Sequence, residues 1–362
     1  LFLIAFIFSI LIVAGCSRGL RKSIIFDSAN LEGYKLSSSK APELKWETKL
    51  PSSVRGLTLF NKKNVLISSN RGELYIVDIL TGKRTTRIWK PFNKPINILF
   101  LGSEGGIIYF TSLINKGVYA YSLEKAKIRG KFSLPGLQGQ MVIVGDTAFV
   151  LQGRKNILSF NKNTGESIRK LEINTSIAKG IYEYGNLLWI IREDGCLLSY
   201  DIHLKPKDFF SLKLSPEPVA TKIGNKIIAC DSDGHVILID LKQRKILFKK
   251  QLSAPIFSDP FVSDTVIVVG LANGKIVALN SADGSEIWCY QGEGLVNLPL
   301  MGTKSMVIVP FARGRIVSLD LYSGDKLWHY GFDRSLRLTK LISEGIIVVD
   351  SKNKAYYLES KK

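Results

Sequence analysis

Histidine is almost missing from this 362-residue chain; only His203, His235 and His329 occur. They stand far apart, without the short spacings by which protein side chains grip zinc, so no metal site is expected. Cysteine is scarce too, four in all, and no two are adjacent. Cys196, Cys230 and Cys289 each have apolar neighbours, as in Ile-Ile-Ala-Cys230 and Trp288-Cys289-Tyr290. Three cannot all pair, and they read as small core hydrophobes. No apolar run reaches the roughly 20 residues of a membrane-spanning helix. Helical periodicity is absent beyond the first 15 residues. Gly102, Gly105 and Gly106 superficially suggest a phosphate loop, but no helix follows, so they read as a turn between strands. Acidic residues are the minority, 31 against 50 Lys and Arg, for a formal charge of +19. That balance favours anionic partners, yet the cations are scattered without a long run, as on ordinary solvated faces.

What is present begins with LFLIAFIFSILIVAGC. Residues 1–15 carry no charge and end in small residues, as the apolar core of an export signal does. The start at Leu1, with neither Met nor a basic segment before the apolar run, reads as unusual or as lacking a few residues. Val13-Ala14-Gly15-Cys16 resembles the lipobox of bacterial lipoprotein precursors. That resemblance implies cleavage before Cys16, a diacylglycerol on its thiol and acylation of its new amino group. Several acyl chains anchor durably where one binds only marginally. Ser17, in place of the Asp that retains such proteins at the inner membrane, implies delivery to the outer membrane, with the folded part in the periplasm. An exported protein is a poor candidate for nucleic acid. Residues 16–42 then read as a tether that ends in a Ser-rich stretch and a proline. Its apolar Ile24-Ile25-Phe26 is expected either to dock on the folded part or to dip into lipid headgroups.

The remainder, 43–362, is a repeat. An apolar strand, an Asp or Asn, a turn often carrying Gly, and a second strand with an aromatic residue recur at IVDILTGKRTTRIW, SFNKNTGESIRKL, ALNSADGSEIWCY and SLDLYSGDKLWHY. The markers Asp78, Ser122, Asn161, Asp201, Asp240, Asn280, Asp320 and Glu359 are separated by steps of 44, 39, 40, 39, 40, 40 and 39 residues. Six residues before the marker lies Gly72, Gly195, Gly234, Gly274 or Gly314, where glycine accepts the positive φ of a tight hairpin. β-branched runs flank each turn, so every unit reads as a four-stranded meander. Marker carboxylates are expected to cap the following turn. Eight such units predict an all-β, eight-bladed propeller of four-stranded antiparallel blades. The last copy has only three strands, and the missing one is Glu43-Leu-Lys-Trp-Glu-Thr-Lys-Leu50. Its pairing with 355–359 would close the ring. Trp46, Trp89, Trp288 and Trp328 are expected to pack between blades, and Trp189 within a second strand.

The motif in Asn280–Trp288 and Asp320–Trp328 resembles the repeat of quinoprotein-type propellers. Two families share it. One holds pyrroloquinoline quinone and calcium and oxidises its substrates; it carries an adjacent Cys-Cys disulfide and large insertions, which this sequence lacks. The other, the BamB family of outer-membrane assembly lipoproteins, is a non-catalytic propeller on an N-terminal lipid, and the lipobox and minimal blades are similar to it. The resemblance implies no cofactor beyond the covalent lipid on Cys16, and a monomeric subunit of a hetero-complex. The partner would be the periplasmic domains of the barrel insertase. In that family, loops of neighbouring middle blades supply an aliphatic-plus-arginine stretch and acidic residues to the contact. Glu217, in Leu214-Ser-Pro-Glu-Pro218, aligns near the acidic position, whereas Ile173-Asn-Thr-Ser-Ile177 stands where Leu-x-Leu-Arg would. The alternatives are an envelope propeller binding glycan or peptidoglycan, a sensor module of a signalling complex and, more remotely, a quinoprotein dehydrogenase.

Overall fold

In the computed structural model, the described residues are 36 and 40–361, apart from 51–53, 62–63, 70–72, 90–97, 113–116, 123, 126, 179 and 343. The apolar N-terminal run, Cys16, Ile24–Phe26 and Gly72 lie outside them. The strands assemble into eight four-stranded antiparallel sheets, seven of them meanders of consecutive strands. Blades 1 to 7 occupy residues 54–89, 98–132, 137–172, 182–211, 219–251, 261–291 and 301–331. Blade 8 takes its first three strands from Leu336–Ile342, Gly345–Asp350 and Lys354–Glu359. Its fourth is Glu43–Lys49, antiparallel to the third, with Leu44 opposite Leu358 and Trp46 opposite Tyr357. The ring is therefore closed by main-chain hydrogen bonds between its two ends.

Within a blade we call the strands a to d. First strands of adjoining blades touch one another, so strand a lines the centre and strand d forms the rim. The b–c turns and d–a connections share one face. Leu212, Leu252, Gly292 and Phe332, just past strand d, donate N–H bonds to Gly195, Gly234, Gly274 and Gly314 of the b–c turns. The a–b and c–d turns occupy the opposite face, where Leu241 bonds Asn225, Ser281 bonds Thr265 and Leu321 bonds Ser305.

The core is not one mass. It consists of eight apolar sandwiches, each filled from two neighbouring blades, including one between blades 8 and 1 and one between blades 7 and 8. Alternation makes this possible, since successive side chains of a strand face opposite neighbours. On the b and c strands both faces are covered, and those strands run buried almost throughout. Trp189 lies wholly buried in the second strand of blade 4.

Outer-strand aromatics lock one blade to the next. Trp46 Nε1 donates to Ile79 O at 2.7 Å, and Trp288 Nε1 to Leu321 O at 2.9 Å. Their rings lie on Gly82 and Gly324, where an added Cβ would sit 2.5 Å and 2.6 Å from ring carbons. Trp328 is buried in the corresponding place between blades 7 and 8, and among the described residues its Nε1 has no hydrogen-bond partner. Leu36 and Ala41, in the segment read as tether, pack on the cluster that holds Trp328.

The expected roles of the marker residues are visible. Oδ1 of Asp78, Asn161, Asp240, Asn280 and Asp320 accepts backbone N–H bonds of the following turn at 2.7–3.1 Å. Gly195, Gly234, Gly274 and Gly314 all have positive φ. Cys230 is buried, but Cys196 is half-buried and Cys289 exposed, because Trp288 takes the inward position on that strand. All three are free thiols.

Candidate functional site

Glu217 lies on the d–a connection between blades 4 and 5. Buried Leu212 and Leu214 pin the start of that connection. Leu212 N–H donates to Gly195 O of the blade 4 b–c turn. Ser215 N–H donates to Asp231 Oδ2 of the blade 5 turn at 2.8 Å, and the hydroxyls of Ser215 and Ser232 are 3.0 Å apart. Stitched on both sides, the loop holds Glu217 at φ 59°, left-handed although a proline follows. A residue before proline normally stays extended, so this conformation is imposed by its surroundings.

The carboxylate of Glu217 lies 3.8 Å from Arg154 Nη1, while Arg154 Nη2 pairs with Glu193. Arg154 stands on the b–c turn of blade 3 and Glu193 on that of blade 4, so one guanidinium bridges blades 3 and 4 and the connection to blade 5. Next to it Arg192 pairs with Asp194, and this pairing, with its hydrogen bond, holds the Asp194 carboxyl below its usual range. Exposed pairs of this kind add little to stability. Their effect is to fix the outline and charge of the surface.

Asp231, Asp233 and His235 complete the patch, with ligand-type atoms within 4.8 Å of one another. The arrangement is a turn cap rather than an ion cage. Asp231 Oδ1 accepts the N–H of Asp233 and of His235, at 3.0 and 2.9 Å. Oδ2 takes the Ser215 N–H and lies 2.9 Å from His235 Nδ1. Burial pushes the Asp231 carboxyl up, but the donors from Ser215 and His235 outweigh it and leave the group below its usual range. With both oxygens engaged, little is left for calcium, which needs six to eight oxygen ligands. No chemical step follows from this cluster.

The structure thus gathers Glu193, Asp194, Glu217, Asp231 and Asp233 on the b–c face of blades 4 and 5, an acidic patch on a strongly basic chain. The sequence points to Glu217 alone. Arg154, Glu193 and Asp231 were findable, since each stands in the b–c turn of its copy. His203 and His329 lie elsewhere, on the c–d turn of blade 4 and the outer strand of blade 7. Gly105 and Gly106 form the a–b turn of blade 2, between strands Ile98–Glu104 and Ile107–Ser112.

Ring and repeat define the class, an eight-bladed propeller with the quinoprotein-type repeat. Residues 181–345, spanning blades 4 to 7 and the first strand of blade 8, match the family model described as outer membrane protein assembly factor BamB. Among solved structures, BamB from Moraxella catarrhalis superposes with TM-score 0.66 at 13% identity, covering 88% of this chain and 99% of that one. Sqt1 of Saccharomyces cerevisiae superposes at 0.72 with 12% identity, covering 89% and 100%. The computationally designed Ika8 protein gives 0.71 with 14% identity, covering 88% and 99%. No curated protein sequence matches the chain significantly. Since a designed ring fits as well as the natural ones, superposition speaks for the fold alone. The repeat-level match is what makes the chain similar to the BamB family.

Proposed function

We propose that the chain is a non-catalytic scaffold of the outer-membrane β-barrel assembly machinery, held to the periplasmic side of that membrane by lipid on Cys16. On this reading it acts as a monomeric subunit that presents a rigid face to the periplasmic domains of the barrel insertase. It uses no cofactor and binds no nucleic acid. The observation that carries the reading is a coincidence of position. The BamB family match covers blades 4 to 7, and the stitched acidic patch around Glu217 lies on blades 4 and 5. A preorganised loop on a rigid ring binds with little ordering cost. Glycan recognition has less support, because among the described residues the exposed aromatics Phe209 and Tyr322 sit on different blades instead of forming a platform.

The test is affinity capture of the acylated protein from detergent-solubilised membranes. The insertase should co-purify, and Glu217→Lys, which places a cation beside Arg154, should lower its recovery at least about tenfold, the cost of truncating an interfacial charge pair. Unchanged recovery would remove Glu217 from the contact; absence of the insertase from the wild-type eluate would remove the scaffold reading.

A further inference from the structure

The large apolar side chains that this ring exposes are distributed to one side. Among the described residues they are Leu44, Leu80, Ile168, Ile202, Phe209, Ile287 and Tyr322. Leu80, Ile202 and Tyr322 stand on the c–d turns of blades 1, 4 and 7, with 53%, 40% and 57% of their surface exposed. Leu44, Ile168 and Ile287 are each the second residue of an outer strand, Glu43–Lys49, Ser167–Glu172 and Glu286–Gln291, next to the c–d end. Phe209 is midway along its strand. None stands on the b–c face. Single exposed hydrophobes need no explanation, but six of seven lying on or next to one face do.

Two further observations say what covers that face. The polypeptide enters the ring there. Glu43 pairs with Glu359 at the c–d end of blade 8, and Leu36 and Ala41 pack on the cluster below it. In addition, each apolar turn tip has an exposed lysine at hand: Lys83 beside Leu80, Lys205 beside Ile202, and Lys304, whose carbonyl accepts the Tyr322 hydroxyl at 3.2 Å. Apolar tips flanked by Lys form the pattern that seats a protein in the headgroup region of an anionic bilayer. The three tips are three, three and two blades apart, so the ring can rest on them as on a tripod.

We propose that the a–b/c–d face lies against the phospholipid surface, with Leu80, Ile202 and Tyr322 dipping into it, which turns the b–c face and Glu217 toward the periplasm. The proposal rests on the anchored reading only for delivery to the membrane, because the contact itself is made by the ring. From Leu36, seated on the ring, to Cys16 is a span of 20 residues, at most roughly 70 Å when extended, and a flat-lying ring needs only a small part of that.

The test uses the chain from residue 16 onward carrying Cys16→Ser, so that neither the apolar run 1–15 nor an acyl chain contributes, sedimented with vesicles of phosphatidylethanolamine and phosphatidylglycerol. The wild-type ring should co-sediment, and the triple variant Leu80→Ser, Ile202→Ser, Tyr322→Ser should lose about tenfold or more of that binding. A control on the opposite face, Lys155→Ser, Asn273→Ser, Glu293→Ser, keeps the net charge and should bind as wild type. Circular dichroism melts establish that each variant is folded. Absence of wild-type binding, or equal loss in the control, overturns the proposal. Insertase capture, measured on acylated protein with the same variants, separates the two readings. Vesicle binding without capture leaves the ring's orientation standing and sinks the scaffold, and capture without vesicle binding does the reverse.

Discussion

Glycine at the c–d turn is where one missing methyl group holds two blades together. At Gly324 the φ of 79° already disfavours any other residue, and a Cβ would meet the Trp288 ring at 2.6 Å. Gly324→Ala should therefore cost about 2–4 kcal/mol, adding left-handed strain to overpacking. Urea unfolding of the variant measures this, and a loss under about 1 kcal/mol would mean that the ring slides aside freely. Asp231 offers a second residue-scale test through pH. Its folded-state value is lowered, so its contribution is complete above the unfolded carboxylate value near 4 and fades as pH falls through the folded value. Asp231→Asn should flatten the acid limb of the stability curve below about pH 4. Thermal melts across pH 2–7 follow it.

At the scale of the element, the seam strand Glu43–Lys49 deserves the closest test. It supplies the rim of blade 8, and through Trp46 it reaches Ile79 of blade 1, so one strand ties the last blade to the first. A chain starting at Arg55 loses six paired positions and the tryptophan together. Truncating a fully buried Trp costs about 3–5 kcal/mol; Trp46 is half-buried, but the deletion also removes the paired strand and should cost at least as much, baring the edge of Lys354–Glu359 to other chains. Equal denaturation midpoints for the shortened and complete chains would contradict the closure. On the other side of the same blade, Leu36 and Ala41 pack on the cluster that holds Trp328.

On the scale of the whole molecule, the ring separates two surfaces that no single blade could keep apart. One collects carboxylates from three loops of blades 4 and 5, two b–c turns and one d–a connection; the other collects apolar tips from blades 1, 4 and 7. Each blade sheet is packed on both sides by its neighbours. Insertase capture and vesicle sedimentation thus probe independent faces, and variants of one should leave the readout of the other unchanged.

What the amino-acid order decides by itself is the periodic part. The forty-residue step, the marker that caps each turn and the positive-φ glycines are local properties, written in φ, ψ and hydrogen bonds a few residues apart. Closure was legible as well, because a three-stranded remainder and an orphan strand with a tryptophan demand each other. The acidic patch was only partly legible. Glu217, Arg154 and Asp231 belong to three different copies, and their approach depends on how far each blade rotates from the last. The exposed Cys289 and the one-sided distribution of apolar tips escape any reading of the string. Only the finished ring decides which strand ends share a face, because burial is settled by neighbours forty residues away.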